Sequence, residues 1–65
     1  MRVTVNDEDM QVGEHTTVSE LLDTLGLPDK GIAVAVDWTV VPRSQWGEVL
    51  TDGAKIEVVT AVQGG

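Results

Sequence analysis

Ten residues near the middle of the chain, TVSELLDTLG at positions 17–26, restrict its fold more than any other stretch. Thr17 stands where a helix N-cap belongs, and Glu20 follows three residues later, the spacing of a capping box. Val18, Leu21, Leu22 and Leu25 repeat at i, i+3, i+4 and i+7, which makes one apolar stripe. Gly26 suits the left-handed position that closes a helix, and Pro28 blocks continuation beyond it. The spacing predicts a helix over residues 18–25. A helix that short does not persist alone in water. Its stripe needs a surface to lie on, so the rest of the chain must supply a sheet.

The flanking segments read as strands. In MRVTVN, Met1, Val3 and Val5 fall on one face and Arg2, Thr4 and Asn6 on the other, a half-buried strand. NDED reads as a polar turn and MQVG as a short return strand, giving a hairpin. After the helix, GIAVAVDWTVVP puts Ile32, Val34 and Val36 on one face and Ala33 and Ala35 opposite. Asp37, Trp38 and Thr39 then read as a tight connection into a short strand at Val40 and Val41, ended by Pro42. RSQWGEVLTDGA is irregular, with a turn over residues 44–46 and a strong turn dipeptide at Asp52 and Gly53. KIEVVTAV is the last strand, with Ile56, Val58 and Thr60 facing the helix and Glu57, Val59 and Ala61 facing away.

The order strand–strand–helix–strand–strand–strand places one helix on one face of one mixed sheet, an α+β architecture. The helix lets the last strand return parallel to the first through a right-handed crossover. That ββαβββ topology is a β-grasp. All 65 residues form a single expected domain, and a chain of this size buries only about 60% of its unfolded surface. A thin core fits; a deep pocket does not.

Composition narrows the function. Four Lys and Arg stand against 11 Asp and Glu, a net charge of −7. Such a surface repels a phosphate backbone, so nucleic-acid binding is not expected. The acidity steers the chain toward a basic protein partner or simply keeps it soluble. There is no cysteine, hence no disulfide and no thiolate nucleophile. No apolar signal segment opens the chain and no run spans a bilayer, so a soluble cytoplasmic protein is expected. The lone His15 reads as a solvated loop residue rather than a catalytic base. Asp7, Glu8 and Asp9 read as a solvated turn, because consecutive carboxylates rarely converge on one cation. No enzyme site and no bound cofactor or metal are expected. Trp46 is expected to cover one end of the core, with a partner anchor as its alternative. Trp38 is open between partner contact and partial packing. Arg43 either pairs with a carboxylate or presents donors to a partner.

The last residues, Val62, Gln63, Gly64 and Gly65, carry the remaining signal. Two closing glycines arise by chance in roughly one chain in two hundred at average glycine usage. Glycine has no Cβ and reaches backbone angles other residues avoid. Four residues extend about 13–14 Å, enough to thread a partner's active site and deliver the Gly65 carboxylate. The partner then docks on the sheet face away from the helix. Thr4, Glu57, Val59 and Ala61, with Ala33 or Ala35, are the residues expected there.

MRVTVND, TTVSELL, VPRSQW and DGAKIEVVTAVQGG together resemble the sulfur carrier (ThiS) family of thiamin biosynthesis, which is ubiquitin-like. The diglycine end is common to several ubiquitin-like carriers. VPR followed by Trp at this spacing is far more specific. The molybdopterin-synthase small subunit is similar in fold and tail but is usually longer and lacks that segment. The resemblance implies that a separate adenylating enzyme, using ATP and Mg, converts the Gly65 carboxylate to an acyl-adenylate. Sulfur then replaces AMP to give a thiocarboxylate, which donates its sulfur to a thiazole synthase. The chain itself would be a monomer without catalytic residues. The alternatives are a sulfur carrier of another pathway and a non-covalent ubiquitin-like binding module with an idle tail.

Overall fold

The structure, a computed structural model, describes residues 1–28 and 30–60. Strand β1 (Arg2–Val5) and β2 (Glu8–Gln11) form an antiparallel hairpin, followed by helix α1 (Val18–Thr24). Strand β3 (Ile32–Val36) and β4 (Thr39–Val40) form a second hairpin. A 3-10 turn (Arg43–Gln45) leads to β5 (Lys55–Thr60). The sheet order is β2-β1-β5-β3-β4. β5 lies in the middle, parallel to β1 through the pairs Thr4–Lys55 and Val5–Ile56, and antiparallel to β3 from Ile32–Thr60 to Val36–Ile56. The expected ββαβββ order and mixed sheet are found.

The helix forms where its caps predict. Thr17 Oγ1 accepts from the Glu20 N–H at 3.1 Å, and the Thr17 N–H donates to Glu20 Oε1 at 3.0 Å, a complete capping box. Thr24 is the last helical residue and Leu25 the C-cap, one residue earlier than the apolar stripe suggests. Gly26 follows with φ +73°. Its N–H donates to Asp23 O at 3.0 Å, and the Leu27 N–H donates to Leu22 O at 3.0 Å, the paired bonds of a Schellman ending.

Val18, Leu21 and Leu22 bury the helix stripe against Val3, Val5, Val34 and Ile56 of the sheet. Trp46, Leu50 and Ala54 close the core from the irregular segment, and Trp46 is buried as expected. Its indole Nε1–H donates to Val41 O at 3.1 Å, so burial leaves no orphaned donor. That segment is sewn to the helix entry: the Ser19 N–H donates to Trp46 O, and the Leu50 N–H to Thr16 O. Arg43 stacks over Trp46, its guanidinium carbon 5.6 Å from the ring centroid.

Three boundaries differ from the sequence expectation. The first turn is only Asn6 and Asp7, both at positive φ, a type I′ hairpin loop. Glu8 and Asp9 therefore belong to β2 rather than to a turn, and β2 begins two residues earlier than MQVG implies. The second loop is Asp37 and Trp38, again both at positive φ, so β4 is Thr39–Val40 rather than Val40 and Val41. The turn expected at residues 44–46 is the 3-10 turn Arg43–Gln45, with Trp46 as its cap.

Candidate functional site

Because side chains alternate along β5, Ile56 and Val58 point to the helix while Lys55, Glu57 and Val59 point away. Cross-strand pairing extends that outer face. Val59 stands opposite Ala33, and Glu57 opposite Ala35, which in turn stands opposite Val40. Val59 is 58% exposed and Val40 68% exposed. These two valines and two alanines form an apolar patch on the uncovered face, next to the end of β5. Val59, Glu57 and Thr4 thus lie on the outer face, as expected. Ala61, Val62, Gln63, Gly64 and Gly65 fall outside the described residues. Val40 was missed, because a strand displaced by one residue turns every side chain to the other face. Val41 packs inward instead, its N–H donating to Val34 O at 2.8 Å.

A polar belt borders the patch. Lys55 Nζ donates to Asp7 Oδ1 at 3.0 Å and lies 3.8 Å from Glu57 Oε2. The hydrogen bond to Asp7 holds the Lys55 ammonium above its ordinary range, opposed by desolvation and aided by the charges of Asp7 and Glu57. Thr4 Oγ1 donates to Asp9 Oδ1 at 3.3 Å. Lys55 Nζ also sits 5.2 Å from the centroid of the Trp38 ring. Trp38 is 74% exposed, so contact with Lys55 does not bury it.

Asn6 fixes the end of β5. β1 ends at Val5, yet the Asn6 N–H donates to Ile56 O at 3.0 Å. The Asn6 side chain then does the work of one more strand residue. Its Oδ1 accepts from the Val58 N–H at 2.9 Å, and its Nδ2 donates to Val58 O at 3.3 Å. On the other edge β3 holds β5 as far as Thr60. The end of β5 is therefore held by the Asn6 side chain at Val58 on one edge and by the β3 ladder through Thr60 on the other.

Among the described residues no polar or charged side chain is buried, and no group of three or more His, Cys, Asp or Glu converges to hold a metal. His15 is exposed in its loop, at φ +68°. Asp7 and Asp9 are engaged singly, by Lys55 and Thr4. Among the described residues no helix is long and apolar enough to cross a membrane.

A single helix on a five-stranded mixed sheet, with parallel β1 and β5 side by side, is the ubiquitin-like β-grasp fold. Together with an uncovered apolar face beside the last described strand, it defines a ubiquitin-like protein. The family can be given as well: the chain belongs to the ThiS family, whose model matches residues 1–65. It is 36% identical over 66 aligned positions to the sulfur carrier protein ThiS of Escherichia coli K12, covering all of both chains. It is 33% identical to a thiazole synthase of Paramagnetospirillum magneticum, spanning all of this chain but 20% of that protein. The crystal structure of the thiamine biosynthesis protein ThiS from Geobacter metallireducens superimposes with a TM-score of 0.83 at 28% identity, both chains covered completely. The solution structure of a thiamine biosynthesis protein from the same organism gives 0.79 at 28% identity, over all of this chain and 88% of that one.

Proposed function

We propose that this chain is a sulfur carrier whose reacting group is the α-carboxylate of Gly65. The observation that carries the reading is a ThiS-family match running through residues 1–65, the Gly64–Gly65 pair included. A carboxylate is a poor electrophile. An adenylating partner using ATP and Mg would let a Gly65 carboxylate oxygen attack the α-phosphorus, releasing pyrophosphate and leaving an acyl-adenylate. A sulfur nucleophile then attacks the activated carbonyl and AMP departs, leaving a C-terminal thiocarboxylate. A thiazole synthase takes the sulfur, and the carrier returns as the carboxylate. In this scheme the chain is a recycled co-substrate in the cytoplasm, and ATP and Mg belong to the partner.

Residues 62–65 act as the delivery arm, and the outer face docks the partner. Val59, Ala33, Ala35 and Val40 supply the apolar contact; Thr4 and Glu57 lie at its margin, and Ala61, outside the described residues, is assigned to the same interface. The Asn6 bonds to Val58 support this, because docking and delivery share one strand, held at Val58 by Asn6 and along its other edge by β3 through Thr60. The experiment is a one-residue extension. Alanine appended after Gly65 moves the carboxylate past the reacting position, so thiocarboxylate formation should stop while docking persists. Normal modification of the extended protein would overturn the reading. A non-covalent binding module would show no dependence on the tail in any partner assay.

A further inference from the structure

Trp38 is an outlier in two respects at once. It is the second residue of a type I′ loop at φ +72°, the left-handed region that glycine and asparagine occupy readily and a bulky side chain does not. It is also the most exposed large hydrophobic residue described, at 74%. The ring gains little from burial and sits where its backbone is strained. Strain of this kind persists where something other than folding uses the residue.

The surroundings indicate what uses it. Trp38 caps the β3–β4 hairpin, whose outward residues Ala35 and Val40 belong to the apolar patch. Beneath the ring, Lys55 is pinned by Asp7, and the Asp37 carboxylate is anchored by the Lys55 N–H at 3.0 Å. The ring therefore rests on a fixed ammonium rather than on a mobile chain. Around it stand Asp7, Asp37 and Glu57 against the one cation Lys55, a local excess of negative charge on a chain of net −7. Lys55, beside the ring, and Thr60, the last described residue of β5, stand about 17 Å apart at about 3.3 Å per residue. Two contact points that far apart fix orientation as well as contact.

Resting on the carrier reading above, we propose that Trp38 is the anchor by which this chain selects its adenylating enzyme, entering an apolar slot bordered by Lys and Arg side chains. The unmodified chain is the substrate of the adenylating step, so that enzyme is the occupant; the sulfur acceptor is an outcome to be tested. An aromatic ring in a desolvated slot is a typical binding hot spot, and the acidic margin matches a basic rim by charge.

The test uses Trp38→Asn, because asparagine tolerates the left-handed region. The carrier is labelled with 5-fluorotryptophan and titrated with the adenylating enzyme of the source organism, without ATP, by fluorine NMR. Two signals are expected, and Trp38→Asn identifies the exposed one by deleting it. On binding, that signal should shift and lose its solvent isotope effect, while the Trp46 signal stays unchanged. With ATP and a sulfur source, Trp38→Asn should raise KM for the carrier at least tenfold with kcat unchanged. Its thermal midpoint should equal or exceed that of the natural chain, since strain is relieved. An exposed-ring signal that stays solvent-accessible at saturating enzyme overturns the inference, whatever the mass of the product. So does an unchanged KM, or protection by a thiazole synthase alone. A protected ring without thiocarboxylate formation sustains the anchor and instead removes the carrier reading.

Discussion

Val59→Glu separates docking from folding on a single strand. Val59 is 58% exposed, so about two-fifths of its side chain is covered. Full burial of a valine is worth about 1.5–3 kcal/mol, so the folded state loses only about 0.6–1.3 kcal/mol. For a chain of this size that lowers the melting midpoint by about 3–10 °C. Total stability should be about 3–10 kcal/mol at the usual value per residue, so the domain stays folded. Ile56, three residues earlier and completely buried, gives the contrast. Ile56→Glu forfeits a buried side chain and places an unpaired carboxylate in a dry core, costs that together exceed the available stability. In the docked complex Val59→Glu must desolvate its new carboxylate against an apolar surface. Several kcal/mol of that penalty weakens binding at least a hundredfold. Circular dichroism melts measure the first quantity, and calorimetric titration with the adenylating enzyme and with a thiazole synthase measures the second. Unfolding by Val59→Glu together with tolerance of Ile56→Glu would reverse the strand register. A folded Val59→Glu protein that binds both partners normally would place docking elsewhere.

Gly64→Val should leave the melting curve unchanged but slow thiocarboxylate formation severely, since a β-branched residue stiffens and widens an arm built for glycine; equal kinetics would mean that the arm is not threaded. Thr17→Ala removes the hydroxyl of the capping box and should cost about 1 kcal/mol, read as a lower denaturant midpoint at unchanged slope. The hydrogen bond from Lys55 to Asp7 raises the Lys55 pKa above its ordinary value. The stabilisation is therefore fully present below the unfolded lysine value and is lost as pH rises through the higher folded one. Lys55→Met should lower stability slightly at neutral pH, where the Asp7 pairing is fully present, and flatten the loss of stability as pH rises through the lysine range.

Much of the architecture is legible from periodicity. The capping residues Thr17 and Glu20, the Gly26 stop and the alternation in β1, β3 and β5 all rest on local chemistry that tertiary structure reinforces. What escaped is the pair of two-residue loops. Asn-Asp is a weaker hairpin signal than Asn-Gly, so the sequence places Glu8 and Asp9 in the turn, although they occupy an edge strand, where solvated acids are tolerated. In Asp-Trp only the aspartate favours a turn, and tryptophan disfavours positive φ, so a two-residue loop is not signalled. Reading it as a longer connection shifted β4 by one residue and hid Val40 from the outer face. The tail chemistry was legible only as a terminal pattern and a family resemblance, since no side chain takes part in it.

The most direct measurement is the intact mass of the chain after incubation with its adenylating enzyme, ATP, Mg and a sulfur source. The account predicts a product in which one oxygen has been exchanged for sulfur, with tandem fragmentation placing the change on Gly65. A product modified on any side chain, or no mass change with an enzyme that activates a known sulfur carrier in parallel, would contradict it.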